Sequence, residues 1–73
     1  MKQAQIWSDL NTGQLYAVII SNGHVTAAER IENHEQARCL NGVIHSRPEL
    51  VILLDAHWGG YSLIDERIYR GTL

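Results

Sequence analysis

Three groups of residues in this chain have types and spacings suited to chemistry. The first is Asp55-Ala56-His57, which closes an unbroken aliphatic run from Leu50 to Leu54. On an extended strand, residues i and i+2 point the same way. A carboxylate and an imidazole at the end of a buried strand would then share a face, as a metal site or a base–acid pair requires. The plainer alternative has Asp55 capping the backbone of the following turn and His57 as a surface turn residue. Neither His-x-x-His nor Cys-x-x-Cys accompanies the pair. The remaining histidines are His24, His34 and His45. His34 and His45 fall at the two ends of a predicted helix, about three turns apart, too far to share an ion. Cys39 is the single cysteine, so the chain forms no internal disulfide, and it reads as a small buried apolar residue. No serine or cysteine sits in a nucleophile motif, and the glycines form no phosphate-binding loop. No cofactor is expected.

The second group is Trp58-Gly59-Gly60-Tyr61. Exposed aromatic side chains beside glycines are favoured at protein interfaces, which makes Trp58 and Tyr61 candidate contact residues. The competing reading folds Trp58 down onto the core, because a chain without phenylalanine must fill its interior with tryptophan and tyrosine. The third group is the acids Asp9, Glu35 and Asp55, whose meaning depends on the elements that carry them.

Those elements read as follows. Residues 3–9 alternate weakly as a strand, and Asn11-Thr12-Gly13 marks a turn. Residues 15–21, Leu-Tyr-Ala-Val-Ile-Ile-Ser, form the best strand of the first half. Asn22-Gly23 is a strong hairpin signal, since a type I′ turn needs positive φ at both positions. A two-residue loop pairs Ser21 with His24, Ile20 with Val25, Val18 with Ala27 and Tyr16 with Glu29. One face then carries Tyr16, Val18, Ile20, Val25, Ala27 and Ile31. The other carries Leu15, Ala17, Ile19, Thr26 and Ala28.

Thr26 to Glu29 has the form of a capping box, but a helix starting there places Ile31 opposite Leu40. A helix over residues 34–45 is preferred. It groups Ala37, Leu40, Val43 and Ile44 on one face, with Asn33 as N-cap and Gln36 as its partner. Asn41-Gly42 offers an early stop. After the break at Ser46-Arg47-Pro48, residues 50–55 read as a central strand buried on both faces. Residues 61–69 are read as a strand pairing back. The alternative there is a short helix stacking Ile64 on Ile68.

The expected fold is therefore a single small α+β domain with the order β-β-β-α-β-β. One mainly antiparallel sheet carries one helix packed on one face. One helix covers one face only, so the opposite face, with Leu15, Ala17 and Ile19, is expected to be bare and to serve as an interface.

The chain has 73 residues and a formal net charge of -2, with six basic residues scattered and none in a run. That balance disfavours direct nucleic-acid binding or adhesion to an anionic membrane. No apolar stretch approaches the ~20 residues of a membrane span. No apolar leader follows Lys2, so a cytoplasmic location is expected, which in a mobile element means inside a host cell.

Three strands, a helix and an apolar strand ending in Asp55 make residues 4–55 resemble the first half of the ribonuclease H-like fold. In that family, acids on the first strand, the first helix and the fourth strand hold two divalent metals. The resemblance implies metal-dependent phosphodiester chemistry at Asp9, Glu35 and Asp55. The reading preferred here is a non-enzymatic interaction module of the size and charge of phage or mobile-element accessory proteins that block a host complex. Such a module would act through a protein partner or a homodimer. It would use the bare sheet face, the Trp58–Tyr61 loop or acidic residues such as Glu29, Glu32, Glu35, Asp65 and Glu66. A third possibility is a small oligomeric regulatory or ligand-binding subunit.

Overall fold

The computed structural model describes residues 1–72. It is an α+β fold in which four antiparallel strands form one open sheet with one α-helix on one face. The strands are β1 (Lys2–Asp9), β2 (Leu15–Ser21), β3 (His24–Ile31) and β4 (Tyr61–Ile68), in the sheet order β3-β2-β1-β4. The helix is α1 (Pro48–Ala56), and short 3-10 turns occupy His34–Gln36, Arg38–Asn41 and Trp58–Gly60.

The first three strands lie where sequence places them. Asn22 has φ 54° and Gly23 φ 80°, as the tight β2–β3 hairpin demands. Residues 61–68 form a strand, not a helix. The expected register holds for Ser21–His24 and Ile20–Val25, then slips by one. Thr26 is the extra residue of a β-bulge, and its hydroxyl donates to the carbonyl of Ile19 at 3.3 Å. Val18 therefore pairs with Ala28, and Tyr16 with Arg30. The slip moves Ala27 and Ile31 to the face of Ala17 and Ile19, and Ala28 to the face of Val18.

Two element assignments are corrected. Residues 34–45 form no α-helix. Asn33 does act as a cap, accepting the Gln36 N–H at 3.2 Å, but the helix stops after one turn at Ala37 (φ -73°, ψ 79°). Ala37 and Cys39 are both buried against the sheet. On an α-helix they would point about 200° apart, so the chain takes two tight turns that bring both inward. Gly42, at φ 81°, ends the second turn. Burial pushes the Cys39 thiol up to about 11, so it stays protonated at neutral pH.

Residues 50–55 are not a fifth strand. Pro48 opens α1 at its first turn, where a missing N–H costs nothing. Leu50 and Leu54, one turn apart, are buried on the sheet, while Ile52 is 73% exposed. The place a fifth strand would take beside β3 is already filled. Ala28 N–H donates to Ser46 Oγ at 3.1 Å, Arg47 N–H donates to Ala28 C=O at 2.8 Å, and Val25 N–H donates to the Asp55 carboxylate at 2.9 Å. Side chains and loop backbone thus seal the β3 edge.

Both sheet faces are consequently covered, at least in part. Leu50 and Leu54 of α1 pack on Trp7, Tyr16, Val18, Ile20, Val25 and Ala28. On the other face, Ala37, Cys39, Leu40, Ile44 and Tyr69 close over Ala4, Ile6, Ala17, Ile19, Ala27 and Ile31. The expected bare face does not exist. Ala17 and Ile19 are fully buried within the chain, and Leu15 packs against the same cluster.

Candidate functional site

The open surface lies on the helix side of the sheet, because α1 runs along β3 and leaves the β1–β4 half uncovered. Antiparallel register sets which side chains meet there. Trp7 pairs with Leu63, Gln5 with Glu66, Gln3 with Ile68 and Asp9 with Tyr61. A bulge at Ile64 keeps Leu63 and Glu66 on this same face, although their spacing is odd. Trp58, in the turn after α1, reaches over from the helix side.

The result is an aromatic groove. Trp7 meets Trp58 edge-on at 5.2 Å between ring centroids and Tyr61 at 5.6 Å, and Tyr61 in turn meets Tyr16 edge-on at 5.7 Å. These are favourable separations for aromatic pairs. Burial is the first cause that pushes the Tyr61 hydroxyl above its ordinary value, followed by the nearby Tyr16 and Asp9. Gln5, Trp7, Trp58, Tyr61 and Leu63 line a cavity of about 220 Å³. Its polar floor is already satisfied. Trp7 Nε1 donates to Gln5 Oε1 at 2.7 Å, and Gln5 Nε2 donates to the Glu66 carboxylate. What remains for a ligand is apolar surface. Leu63 is 55% exposed and Trp58 44%. Sequence singled out Trp58 and Tyr61. It missed Gln5, Trp7 and Leu63, which only the β1–β4 register brings to them.

The acids are placed differently from the sequence expectation. Asp9 ends β1 and accepts the N–H groups of Asn11 (2.7 Å) and Thr12 (3.0 Å), so it shapes the β1–β2 turn. Glu35 lies exposed in the first 3-10 turn. Asp55 sits in the last turn of α1 at the other end of β2, beside the β2–β3 hairpin. The three acids do not converge, and residues 50–55 are a helix, so the topology that suggested the ribonuclease H-like fold is absent. Among the described residues, no group of three or more His, Cys, Asp or Glu is placed to hold a metal ion.

Asp55 and His57 do not form the expected pair. On a helix they point about 200° apart, and His57 is an exposed cap residue. The partner of Asp55 is His24, with Nδ1 at 3.4 Å. The Val25 N–H is the first cause holding the Asp55 carboxyl below its ordinary value, with His24 and Trp58 adding to it. The proton is therefore held less tightly in the folded chain than in the unfolded one. The stabilisation is present above the unfolded value of about 4 and is lost as pH falls through the lower folded value. Asp55→Ala should lower Tm by a few degrees at pH 7 and give a shallower loss of Tm as pH falls below about 4. Equal slopes for both proteins in thermal melts would assign Asp55 no such part.

Of the other candidate contact acids, Glu29 is buried and paired with Arg38, while Glu32 is exposed. Asp65 is held by His34 (3.1 Å) and Arg67 (3.5 Å). No family model, curated protein or solved structure matches this chain. Among the described residues, no helix is long and apolar enough to cross a membrane.

Proposed function

We propose that the protein is a non-enzymatic interaction module that holds a protein partner in the groove between Trp58 and β4. The observation that carries this reading is the concentration of exposed apolar side chains there. Leu63 is more than half exposed and lines the groove with Trp58, and Ile64 and Ile68 are more than half exposed farther along the same strand. Exposed apolar surface of this density, next to a satisfied polar floor, is typical of a contact surface.

The chemistry of the partner follows from the groove. On the β4 edge the Glu66 N–H is taken by the neighbouring Asp65 carboxylate at 2.7 Å, and a bulge interrupts the strand. Such an edge disfavours a partner that adds a strand, so recognition falls to side chains. A cavity of about 220 Å³ has room for one large apolar or aromatic side chain. Asp9 and Glu66 share the groove's face of the sheet, which favours basic residues beside that anchor. The partner is then a segment with an aromatic or aliphatic anchor flanked by Lys or Arg. Blocking of a host complex by such a contact remains the biological setting this module would suit.

Panning a random peptide library on the folded protein tests the reading. Enriched peptides should share an apolar anchor with basic neighbours and should lose binding at least about tenfold on Leu63→Glu, with Tm unchanged. Peptides that bind the Leu63→Glu protein equally well, or a library that yields no enrichment, would overturn it.

A further inference from the structure

We propose that the cavity between β3, the Arg38–Asn41 turn and the start of α1 binds the phosphate group of a small phosphate ester. This cavity lies apart from the aromatic groove and measures about 340 Å³. Arg30, Arg38 and Arg47 line it, together with His45, Glu29 and Glu49. The chain has only six Lys and Arg in total and a net charge of -2. Half of its cations therefore gather around one cavity, brought from three different elements.

Each arginine is held by a different device. Arg38 is anchored by the buried Glu29, whose carboxylate also accepts the His45 N–H at 3.2 Å. Arg30 lies over the Tyr16 ring at 5.9 Å from its centroid. Among the described residues it has no carboxylate within ion-pair distance. That contact places the guanidinium beside the ring, and its N–H groups remain to donate to an acceptor. Arg47 gives Nε to Glu49 at 3.0 Å, which leaves its terminal nitrogens to donate. Planar guanidinium forks match the oxygens of a phosphate, and an anion with several acceptors can serve more than one fork at once.

Glu49 marks where that anion would sit. Its carboxyl is held below the ordinary range first by its own backbone N–H, then by Arg47, with Arg30 adding a longer-range pull. A carboxylate of the chain thus occupies part of the cationic field, and a dianion would displace it. The cavity is larger than a phosphate group, and Leu50 supplies an apolar wall for the remainder of an ester.

The test is a titration with inorganic phosphate and with phenyl phosphate at constant ionic strength, read from the arginine Nε–Hε NMR signals. Saturable shifts at Arg30 and Arg47 are expected, with phenyl phosphate binding more tightly than phosphate. Glu49→Gln should tighten binding by about tenfold, and the Arg30→Gln, Arg47→Gln double variant should weaken it by at least about tenfold. Both arginines are exposed, so the double variant should melt at the wild-type temperature without ligand. Shifts that track ionic strength alone, or that survive in the double variant, overturn the site. Weaker binding by Glu49→Gln overturns the displacement, and phenyl phosphate binding no better than phosphate overturns the ester.

Discussion

Leu54→Ala is expected to lower the unfolding free energy by about 2–4 kcal/mol, while Ile52→Ala should change it by less than about 0.5 kcal/mol. The contrast comes from the helical geometry of residues 50–54. Leu54 is fully buried beneath α1 and packs with Leu50, Val18 and Val25. Truncating it removes buried methyl groups and leaves a void that a small two-layer domain can close only in part. Ile52 points away from the sheet. On a strand the order would differ, because residues 50, 52 and 54 would share one face and Ile52 and Leu54 would cost alike. Urea denaturation of both variants decides between these outcomes. A loss at Ile52 as large as that at Leu54 would mean that residues 50–54 do not pack as a helix. A small domain has about 5 kcal/mol of stability to lose, so Leu54→Ala should bring the protein close to unfolding at 37 °C.

The same residues show where sequence stops speaking. Five aliphatic residues in a row fit a buried strand and a short helix equally well, because neither a period of two nor one of 3.6 is visible. What decides is tertiary. Ser46, Arg47 and Asp55 satisfy the β3 edge, and that leaves Leu50–Leu54 no place as a strand beside β3. Where the signal is local, the reading holds. Asn22-Gly23 and the β-branched run before it fix the hairpin, and Asn33 caps a turn as its side chain suggests. The bulge at Thr26 is invisible in composition, yet it moves Ala27, Ala28 and Ile31 to opposite faces. The candidate groove divides in the same way. Trp58 and Tyr61 stand out as neighbours in sequence, while Trp7, Gln5 and Leu63 join them only through the pairing of the first and last strands. His24 was likewise hidden as the partner of Asp55, since nothing near either residue announces the other.

The ion pair of Glu29 and Arg38 should respond asymmetrically to removal of its two members. The Glu29 side chain is 7% exposed and that of Arg38 46%, so the acid bears most of the burial. Arg38→Ala strands a carboxylate in the interior with only the His45 N–H for a partner. An uncompensated buried charge costs about 3–5 kcal/mol when both partners are buried. Because the Arg38 guanidinium is half in water, a loss of about 2–3 kcal/mol is expected here. Glu29→Gln removes the charge, keeps an oxygen for the His45 N–H and lets Arg38 turn to solvent. Its cost should be less than half as great. Urea denaturation of both variants at neutral pH provides the measurement. An Arg38→Ala deficit smaller than that of Glu29→Gln would show that the buried carboxylate does not depend on Arg38.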